Sequence, residues 1–385
     1  MGWAHLLLNL TLVLWLLCLV HYAEATRGRG KPITMNAIDR CWRSDRNWAK
    51  NRMRLAACSV GFTGKMWGNV KPRVRHYVVT SNVDDPVNPG PGTLRDAATR
   101  RRGRAWITFS HSMTITLKMP LLVSSFTTID GRGADVQIAY GSCLTLSEVN
   151  NVIIHGLRIH HCVKTRPGPI LGSRGQVIGR YERIDGDAIA VVASSKIWID
   201  HNTLSRCQDG LLDVTRESTA ITVSNNWFRD HEKVMLLGHD DGFAGDRNMR
   251  VTIAFNHFGP NCDQRMPRIR HGYAHLVNNF YDGWTQYAIG GSGNPTIKSE
   301  GNFFVAPANS PSKAVIWQAY GGGSKWNWKS RMDVFQNGAY FTQAGNGRVR
   351  PRYTKEQFFA AQGGRRVRAL TRSSGALRCV QGRRC

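Results

Sequence analysis

Residues 184–214 read IDGDAIAVVASSKIWIDHNTLSRCQDGLLDV, and this stretch places five aspartates beside two short β-branched runs. The run KIWIDHNTL (196–204) shares its shape with five other segments: a strand-like alternation, then usually Asn, then an apolar residue. Those segments are NVIIHGLRI (151–159), AITVSNNWF (220–228), RVTIAFNHF (250–258), YAHLVNNFY (273–281) and PTIKSEGNFF (295–304). The chain therefore carries an internal repeat.

The asparagines of this repeat set its period. They stand at positions 202, 226, 256, 279 and 302, so the spacings are 24, 30, 23 and 23 residues. Gly156 lies 46 residues before Asn202, which we interpret as two turns of the repeat. A short strand with a polar corner at this period predicts an all-β fold, a parallel β-solenoid with a ladder of aligned Asn side chains. A β-sandwich is the alternative, but it needs hairpin signals such as Asn-Gly between the runs, and these are absent.

The flanking segments look less regular than the repeat. Residues 39–61 have helical spacing, and we expect them to form an N-terminal helix that caps the first coil. The solenoid and its cap are predicted to span residues 26–310. Residues 311–385 are rich in Gly, Trp and Arg. We expect them to pack as loops along the solenoid and to end in a basic tail.

The N-terminus predicts export. Residues 6–20 are almost wholly apolar, too few for a comfortable membrane span, and Ala23-Glu24-Ala25 follows as a cleavage pattern. Residues 1–25 are therefore predicted to be a secretory signal peptide, with an uncleaved membrane anchor as the alternative. After its removal we expect a secreted, extracellular protein without membrane contact.

The net charge of the chain predicts an anionic partner. Its 385 residues include 52 Lys and Arg against 26 Asp and Glu, which gives a formal charge of +26. Such a charge suits nucleic acid, acidic lipid headgroups or an acidic polysaccharide. No nucleic-acid recognition motif and no basic strip interleaved with aromatic residues is present, so nucleic acid is not expected.

Nine cysteines occur, and eight remain after the predicted signal peptide is removed. An even number in an exported chain permits disulfides, although sequence alone does not fix their connectivity. No CxxC pattern occurs, so zinc is not expected. The short-range pairs are Cys41/Cys58, Cys143/Cys162 and Cys379/Cys385, which leaves Cys207 and Cys262 as candidates for free buried thiols.

The aspartates of the opening stretch fall at related positions of successive coils. Asp187 lies just before the run AIAVV, while Asp209 and Asp213 flank GLL. Carboxylates that converge without cationic neighbours repel each other unless a cation binds between them. A site made only of carboxylate oxygens suits calcium better than zinc or copper. Asp200, inside the repeat, is assigned instead to holding the turn.

Basic residues follow in the next two coils. HEKVMLLGHDD (231–241) places Lys233 before an apolar run, and QRMPRIRHG (264–272) contains Arg265, Arg268 and Arg270. A solvated face is one interpretation of three arginines in so basic a chain. Beside a carboxylate cluster, however, they could clamp a polyanion.

Several long runs of the chain resemble plant-type pectate lyases of polysaccharide lyase family 1, which share the right-handed parallel β-helix. They cover roughly residues 39–310. The runs are CWRSDRNWAKNRMRLAAC, PGTLRDA, TIDGRG, NVIIHGLRIHHC, DGDAIAV, IWIDHNTLSRCQDGLLD, STAITVSNNWF, KVMLLGHDD, VTIAFNHFGPNCDQRMPRIRHGYAHLVNN and YAIGGSGNPTI. Ser44 stands where the family usually has Cys, which favours pairing of Cys41 with Cys58.

The resemblance implies Ca²⁺-dependent cleavage of de-esterified homogalacturonan (pectate, or polygalacturonate) by β-elimination. The products would be 4,5-unsaturated oligogalacturonides, and the role would be pectin degradation in the cell wall by a secreted monomer. A non-catalytic pectin-binding protein is one alternative. Another is a pectin hydrolase, which would use paired carboxylates and water.

Positions that match the family motifs take their expected roles from it. Arg265 would remove the C5 proton, which requires that neighbouring cations lower its proton affinity in the complex. Lys233 and Arg270 would bind the substrate. The calcium ligands would be Asp185, Asp187, Asp209 and Asp213.

Overall fold

Short parallel strands make up most of the regular structure in the computed structural model, which describes residues 35–100, 103–318 and 326–385. The predicted signal peptide lies outside these residues. Residues 36–385 cluster as one unit. Nowhere in the described ranges is a helix long and apolar enough to cross a membrane.

The first half of the chain contains strands β1–β15. They are Arg75–Val79, Ala105–Phe109, Met113–Ile115, Leu121–Leu122, Thr127–Asp130, Val136–Ala139, Leu144–Ser147, Asn150–His155, Arg158–His160, Gly168–Leu171, Val177–Tyr181, Ile189–Val192, Ser195–Asp200, Thr203–Ser205 and Leu212–Thr215.

The second half contains strands β16–β31. They are Thr219–Ser224, Trp227–Arg229, His231–Lys233, Met235–Leu237, Arg250–Ala254, His257–Phe258, Cys262–Gln264, Arg268–Ile269, Tyr273–Val277, Phe280–Asp282, Ile289–Gly291, Thr296–Glu300, Phe303–Val305, Ile316–Gln318, Asn327–Arg331 and Val334–Gln336.

These strands form three long parallel sheets. The ten-stranded sheet has the order β1-β2-β5-β8-β13-β16-β20-β24-β27-β30, and the nine-stranded sheet β3-β6-β9-β14-β17-β21-β25-β28-β31. The eight-stranded sheet has the order β29-β26-β23-β19-β15-β12-β7-β4. Because successive strands of the chain enter different sheets and each strand pairs with its equivalent one coil away, the fold is a parallel β-helix, as predicted.

The predicted asparagine ladder is present. Asn226 Oδ1 accepts hydrogen bonds from the backbone nitrogen of Asn202 at 2.8 Å and from its Nδ2 at 3.1 Å. The same pair of bonds joins Asn226 to Asn256, Asn256 to Asn279 and Asn279 to Asn302. All five side chains are fully buried. The ladder therefore satisfies backbone groups at one corner of every coil from β13 to β28.

The place of Gly156 in the repeat was wrongly predicted. His155 pairs with Asp200, so Leu157 occupies the position equivalent to Asn202, and Leu157 N donates to Asn202 Oδ1 at 3.0 Å. One coil separates these positions rather than two. The coil is long because it contains the antiparallel hairpin β10–β11.

Residues 39–61 contain the expected helix, but it does not cover the first coil. Helix α1, Ala37–Trp42, is followed by a 3₁₀ helix, Arg52–Ala57. Trp42 packs in a cluster with Ile153 and Trp198, which point outward from the ten-stranded sheet. The helical spacing of apolar residues in this segment predicts a helix with one apolar face. It does not show on which part of the β-helix that face packs.

The first coil is covered by a different segment. A π-helical turn, Asp96–Arg100, contacts β2 and β4, and Ala97 and Ala98 join the main core. The remaining helices are short. They are the 3₁₀ helices Gly61–Thr63, Trp67–Asn69, Ala244–Asn248 and Gly364–Arg366, and helix α2, Val367–Leu370.

The β-helix extends past the predicted limit of residue 310, because strands β29–β31 join the three sheets and end at Gln336. After this strand, the chain returns along the ten-stranded sheet, where Phe359, Leu370 and Cys379 pack in the same cluster as Trp42. The predicted end of the β-helix was too early because strands β29–β31 lack the Asn by which the repeat was recognised.

The three predicted disulfides are present: Cys41–Cys58, Cys143–Cys162 and Cys379–Cys385. The last of them closes the end of the chain, and Arg43 Nη2 donates to the carbonyl of Cys385. Cys262 is free and buried, and Cys207 is free and half-buried.

Candidate functional site

A cavity of about 230 Å³ lies on the outer face of the eight-stranded sheet. Side chains alternate along a strand, so Leu212 and Val214 of β15 point into the core while Asp213, between them, points outward. Asp185 and Asp187 reach the same cavity from the loop that precedes β12. Three of the four predicted calcium ligands therefore line one cavity.

Asp187 and Asp213 converge on Gly210. A Cβ placed on Gly210 would lie 2.7 Å from Asp213 Oδ1 and 3.0 Å from Asp187 Oδ1. The backbone nitrogen of Gly210 donates to Asp187 Oδ1 at 2.7 Å. Glycine leaves this space between the two carboxylates open, and any larger residue would fill it.

The pKa values of Asp187 and Asp213 are both raised, because of burial and because negative charges are crowded around them. Burial raises the pKa of Asp187 well above its usual range, and repulsion from Asp213, Asp209 and Asp185 raises it further. Burial and the charge of Asp209 likewise raise the pKa of Asp213. All four predicted ligands thus act on one another electrostatically, and the pair at the centre favours a bound proton or a cation.

Asp209 differs from the other acids because it has a cationic partner. Lys233 Nζ lies 2.6 Å from Asp209 Oδ1, and both side chains are partly exposed. His231, two residues before Lys233 on β18, contacts the carbonyl of Asp209 through Nε2 at 2.5 Å. The predicted substrate-binding lysine is thus attached to one predicted calcium ligand in this structure.

The space between Asp187 and Asp213 shows whether these residues could hold a cation. Within the described ranges, no three His, Cys, Asp or Glu side chains stand close enough to hold a metal ion as they are. Two half-buried carboxylates with open space between them, and two more acids nearby, nevertheless supply the all-oxygen donor set that calcium prefers. The donor set therefore fits Ca²⁺, and Asp209 would have to turn away from Lys233 to join it.

Arg265 lies at a corner of the chain with a positive φ of 61°. Its carbonyl accepts a hydrogen bond from Met235 N at 2.7 Å, which joins the corner to the strand beside β15. The Arg265 Nε is buried and has no hydrogen-bond partner. Its positive charge opposes the rise in the pKa of Asp213, so the guanidinium lies near the carboxylate pair.

Two further arginines follow on and after β23. Arg268 donates to Ser292 Oγ at 3.2 Å, and Arg270 Nη1 lies 3.6 Å from Asp241 Oδ1. Burial lowers the pKa of Arg268, and the charges of Arg270 and Arg265 lower it further. The three guanidiniums therefore form one crowded cationic group.

Asp200 belongs to another part of the fold, as the sequence assigned it. It is fully buried at the end of β13 in the ten-stranded sheet, and it accepts from Ser224 Oγ at 2.6 Å and Asn225 Nδ2 at 3.0 Å. His155 Nδ1 lies 3.0 Å from its other oxygen. Burial acts to lower the pKa of His201, but Asp39 and Asp200 outweigh it and raise the pKa. Asp200 therefore joins neighbouring coils of the sheet, and the adjacent His201 joins them to α1 through Asp39 at 2.7 Å.

Sequence reasoning did not single out several neighbours of the site. His231 could have been found from its spacing, since residues two apart on a strand face the same side as Lys233. Tyr287 stacks on Trp317 at 5.1 Å beside the arginines, and Asp241 reaches Arg270 from a loop. These last contacts come from loop paths that the repeat does not predict.

A parallel β-helix with a carboxylate pair in an open surface cavity and a cluster of arginines nearby fits the class of proteins that act on acidic polysaccharides. The comparisons identify the family. The family model for pectate lyase matches residues 115–347. Pectate lyase 1 of Cryptomeria japonica is 48% identical over 373 residues, covering 96% of this chain and 99% of its own. Probable pectate lyase 8 of Arabidopsis thaliana is 51% identical over 356 residues, covering 91% and 84%.

Solved structures agree with this assignment. The crystal structure of Jun a 1, the major allergen from cedar pollen, superposes with a TM-score of 0.84 at 48% identity, covering 89% of this chain and 99% of that one. A pectate lyase from Bacillus sp. N165 in complex with trigalacturonate shares the fold with a TM-score of 0.59 at 24% identity. It covers 82% of this chain and 98% of its own. This chain belongs to the pectate lyase family and is an enzyme of the polysaccharide lyase class.

Proposed function

We propose that the enzyme is a calcium-dependent pectate lyase that cleaves de-esterified homogalacturonan by β-elimination and releases 4,5-unsaturated oligogalacturonides. The observation that carries this proposal is the pairing of Asp187 with Asp213 around Gly210, next to the arginine group that begins at Arg265. One half of this arrangement attracts a divalent cation, and the other half attracts the carboxylates of a polyuronate.

Asp187 and Asp213 would hold the calcium ion, with Asp209 and Asp185 as further oxygen ligands. When bound, calcium would neutralise the uronate carboxylate and so make the adjacent C5–H more acidic. Once Asp209 turns toward the ion, Lys233 Nζ is released from its 2.6 Å ion pair and becomes available to a substrate carboxylate.

Arg265 is the proposed base. A guanidinium is protonated in water, so it can accept the C5 proton only after losing its own. The proposal requires that crowded cations in the complex, Ca²⁺ and Arg270 among them, lower its affinity for the proton. The Nε of Arg265 has no hydrogen-bond acceptor within the protein. Arg270 would hold a uronate carboxylate in place. The rate should therefore rise with pH.

The test is product formation on polygalacturonate. The purified enzyme with Ca²⁺ should generate the absorbance of the unsaturated uronide, and a chelator should abolish it. Arg265→Lys should lose most of the rate, whereas Arg365→Lys, an exposed change on the C-terminal flank, should not. Unsaturated product at an equal rate from Arg265→Lys would contradict the assigned base.

The same assay separates the alternatives. A pectin-binding protein without turnover would bind polygalacturonate and yield no product. A hydrolase would raise the number of reducing ends without the unsaturated absorbance.

The proposal includes where the enzyme acts and in what form. Since the N-terminal sequence predicts export, we propose that it works outside the cell on wall pectate, as a monomer. Fractionation of the wall space and light scattering of the purified protein test these two statements.

A further inference from the structure

A second cleft, of about 570 Å³, lies at the corner between the eight-stranded and ten-stranded sheets. None of the seven predicted site residues lines it. Its walls come from the loop before β20, the start of β24 and a C-terminal segment that crosses the sheet. Five arginines line it, and no Asp or Glu does: Arg247, Arg250, Arg348, Arg350 and Arg352.

The guanidiniums of this cleft are exposed and unused. All five side chains are exposed, and within the described part of the chain none forms an ion pair or a side-chain hydrogen bond. Two buried arginines, by contrast, are paired: Arg95 with Asp84 at 2.6 Å, and Arg132 with Asp130 at 2.7 Å. Five like charges gathered in a concave surface repel one another and focus a positive potential. Such a group is stabilised by an anion with several charges.

The C-terminal wall of the cleft is fixed to the β-helix. Tyr273 at the start of β24 donates its hydroxyl to the carbonyl of Val349, between two of the arginines. Tyr273 also packs edge-to-face on Phe62 at 5.6 Å. Arg348, Arg350 and Arg352 occupy alternate positions of a segment without helix or turn, and all three line the same cleft. The anchored segment therefore presents a row of guanidiniums.

We propose that this cleft is a second polyuronate-binding site, which holds a segment of de-esterified pectate away from the reacting bond. Guanidinium groups bind carboxylates in a two-point geometry, and a polyuronate presents carboxylates in a regular row. The choice of a carboxylate polymer rests on the proposed function. Single-stranded nucleic acid is disfavoured because the two aromatic residues of the cleft pack on each other and Phe62 is buried, which leaves little ring surface for base stacking.

The cleft should bind without calcium, which distinguishes it from the proposed catalytic site. The experiment is affinity electrophoresis of the whole protein through gels with and without polygalacturonate, in chelator, at several salt concentrations. The test variant is Arg348→Gln/Arg350→Gln/Arg352→Gln. The matched control is Arg365→Gln/Arg383→Gln/Arg384→Gln, which removes the same charge from exposed positions outside the cleft.

We expect the wild-type protein to be retarded by polygalacturonate in chelator, and less so as salt increases. The cleft variant should bind about tenfold more weakly, since three charge contacts are lost, while the control stays within about twofold. Equal losses in both variants would overturn the proposal, because binding would then follow net charge alone. Retardation by an RNA homopolymer as strong as that by polygalacturonate would also overturn it.

Failure of this inference and failure of the proposed function give different results. If the cleft is not a binding site, the triple variant binds like wild type while both release unsaturated product. If the enzyme is not a lyase, product is absent from every protein, and the cleft variant still loses binding. On a short oligogalacturonate the cleft variant should keep the wild-type rate.

Discussion

Asp200 and Asp213, both in the opening stretch, should respond oppositely to substitution by Asn. In chelator, Asp213→Asn should raise the melting temperature and Asp200→Asn should lower it. Asp213 is half-buried and crowded by other carboxylates, which outweigh the nearby charges of Arg265 and Lys233, so Asp213→Asn removes an unfavourable charge when calcium is absent. Relief of such a crowded, partly buried charge is worth about 1–3 kcal/mol. The unit of residues 36–385 should unfold with an entropy near 0.7 kcal/mol per kelvin at roughly 2.1 cal/mol/K per residue. The melting temperature in chelator should therefore rise by about 1–4 °C.

Calcium should raise the melting temperature of the wild-type protein to that of Asp213→Asn or above it. A ligand at about one hundred times its Kd stabilises the folded state by about 2.7 kcal/mol, which here corresponds to about 4 °C. The wild-type protein should gain this shift when calcium replaces chelator, and Asp213→Asn should gain little of it. The assay is thermal unfolding in alkaline buffer, where the fewest protons neutralise the carboxylate pair.

Asp200→Asn is the matched control. Its carboxylate accepts from Ser224 and Asn225 and contacts His155, so the substitution removes one partner from a buried charged network. Breaking such a network costs about 3–5 kcal/mol, and the melting temperature should fall by about 4–7 °C. The calcium shift should survive unchanged. A lower melting temperature for Asp213→Asn in chelator, or a full calcium shift in that variant, would refute the reasoning.

The other predictions concern Gly210 between the two carboxylates, the asparagine ladder and the carboxyl of Asp333. Gly210→Ala should weaken calcium affinity about 10–100-fold in a calcium titration of the lyase rate, while Gly179→Ala, which meets no atom within 4 Å, should not. Asn256→Leu removes the side-chain bonds to Asn226 and Asn279 and leaves the buried backbone groups of Asn226 and Val223 unpaired. The free energy of unfolding in denaturant should fall by about 3–6 kcal/mol, and a fall under 1 kcal/mol would contradict a structural ladder. Burial raises the pKa of Asp333 from 3.8 to about 6. The folded state therefore binds the proton more tightly, and the stability supplied by this group is lost as pH rises from about 4 to 6. Asp333→Asn should flatten that loss in melts across this range.

Much of the fold could be predicted because the asparagine spacing records the length of a coil. Each Asn bonds the next one along the stack, so a nearly constant interval in sequence follows from a constant rise in space. The interval fails where a coil carries an insertion. The hairpin β10–β11 lengthens one coil, and Leu157 stands there in place of Asn, which is why Gly156 was misplaced.

The sequence could name candidate site residues but not their geometry. It gave the acids and Arg265 as candidates through their resemblance to a family. It could not show that Lys233 pairs with Asp209, because side chains from adjacent coils meet only after the register is fixed. The sequence grouped Arg268 with Arg265 and Arg270, but it could not show the contacts of Arg268 with Ser292 and Trp317, which come from later coils.

The difference between Asp200 and Asp213 follows from which sheet is covered. Helix α1 and the C-terminal segment both pack on the ten-stranded sheet, so an acid that ends β13 is sealed beneath them and must be matched by buried donors. The outer face of the eight-stranded sheet keeps an open cavity, and an acid on β15 can remain unmatched until a ligand arrives. Mutual repulsion makes such a crowded carboxylate pair costly unless a proton or a cation binds it, because nearby Arg265 and Lys233 offset the repulsion only in part. Because α1 and the C-terminal segment cover only the ten-stranded sheet, its aspartates stabilise the fold, whereas those of the eight-stranded sheet remain available for a cation.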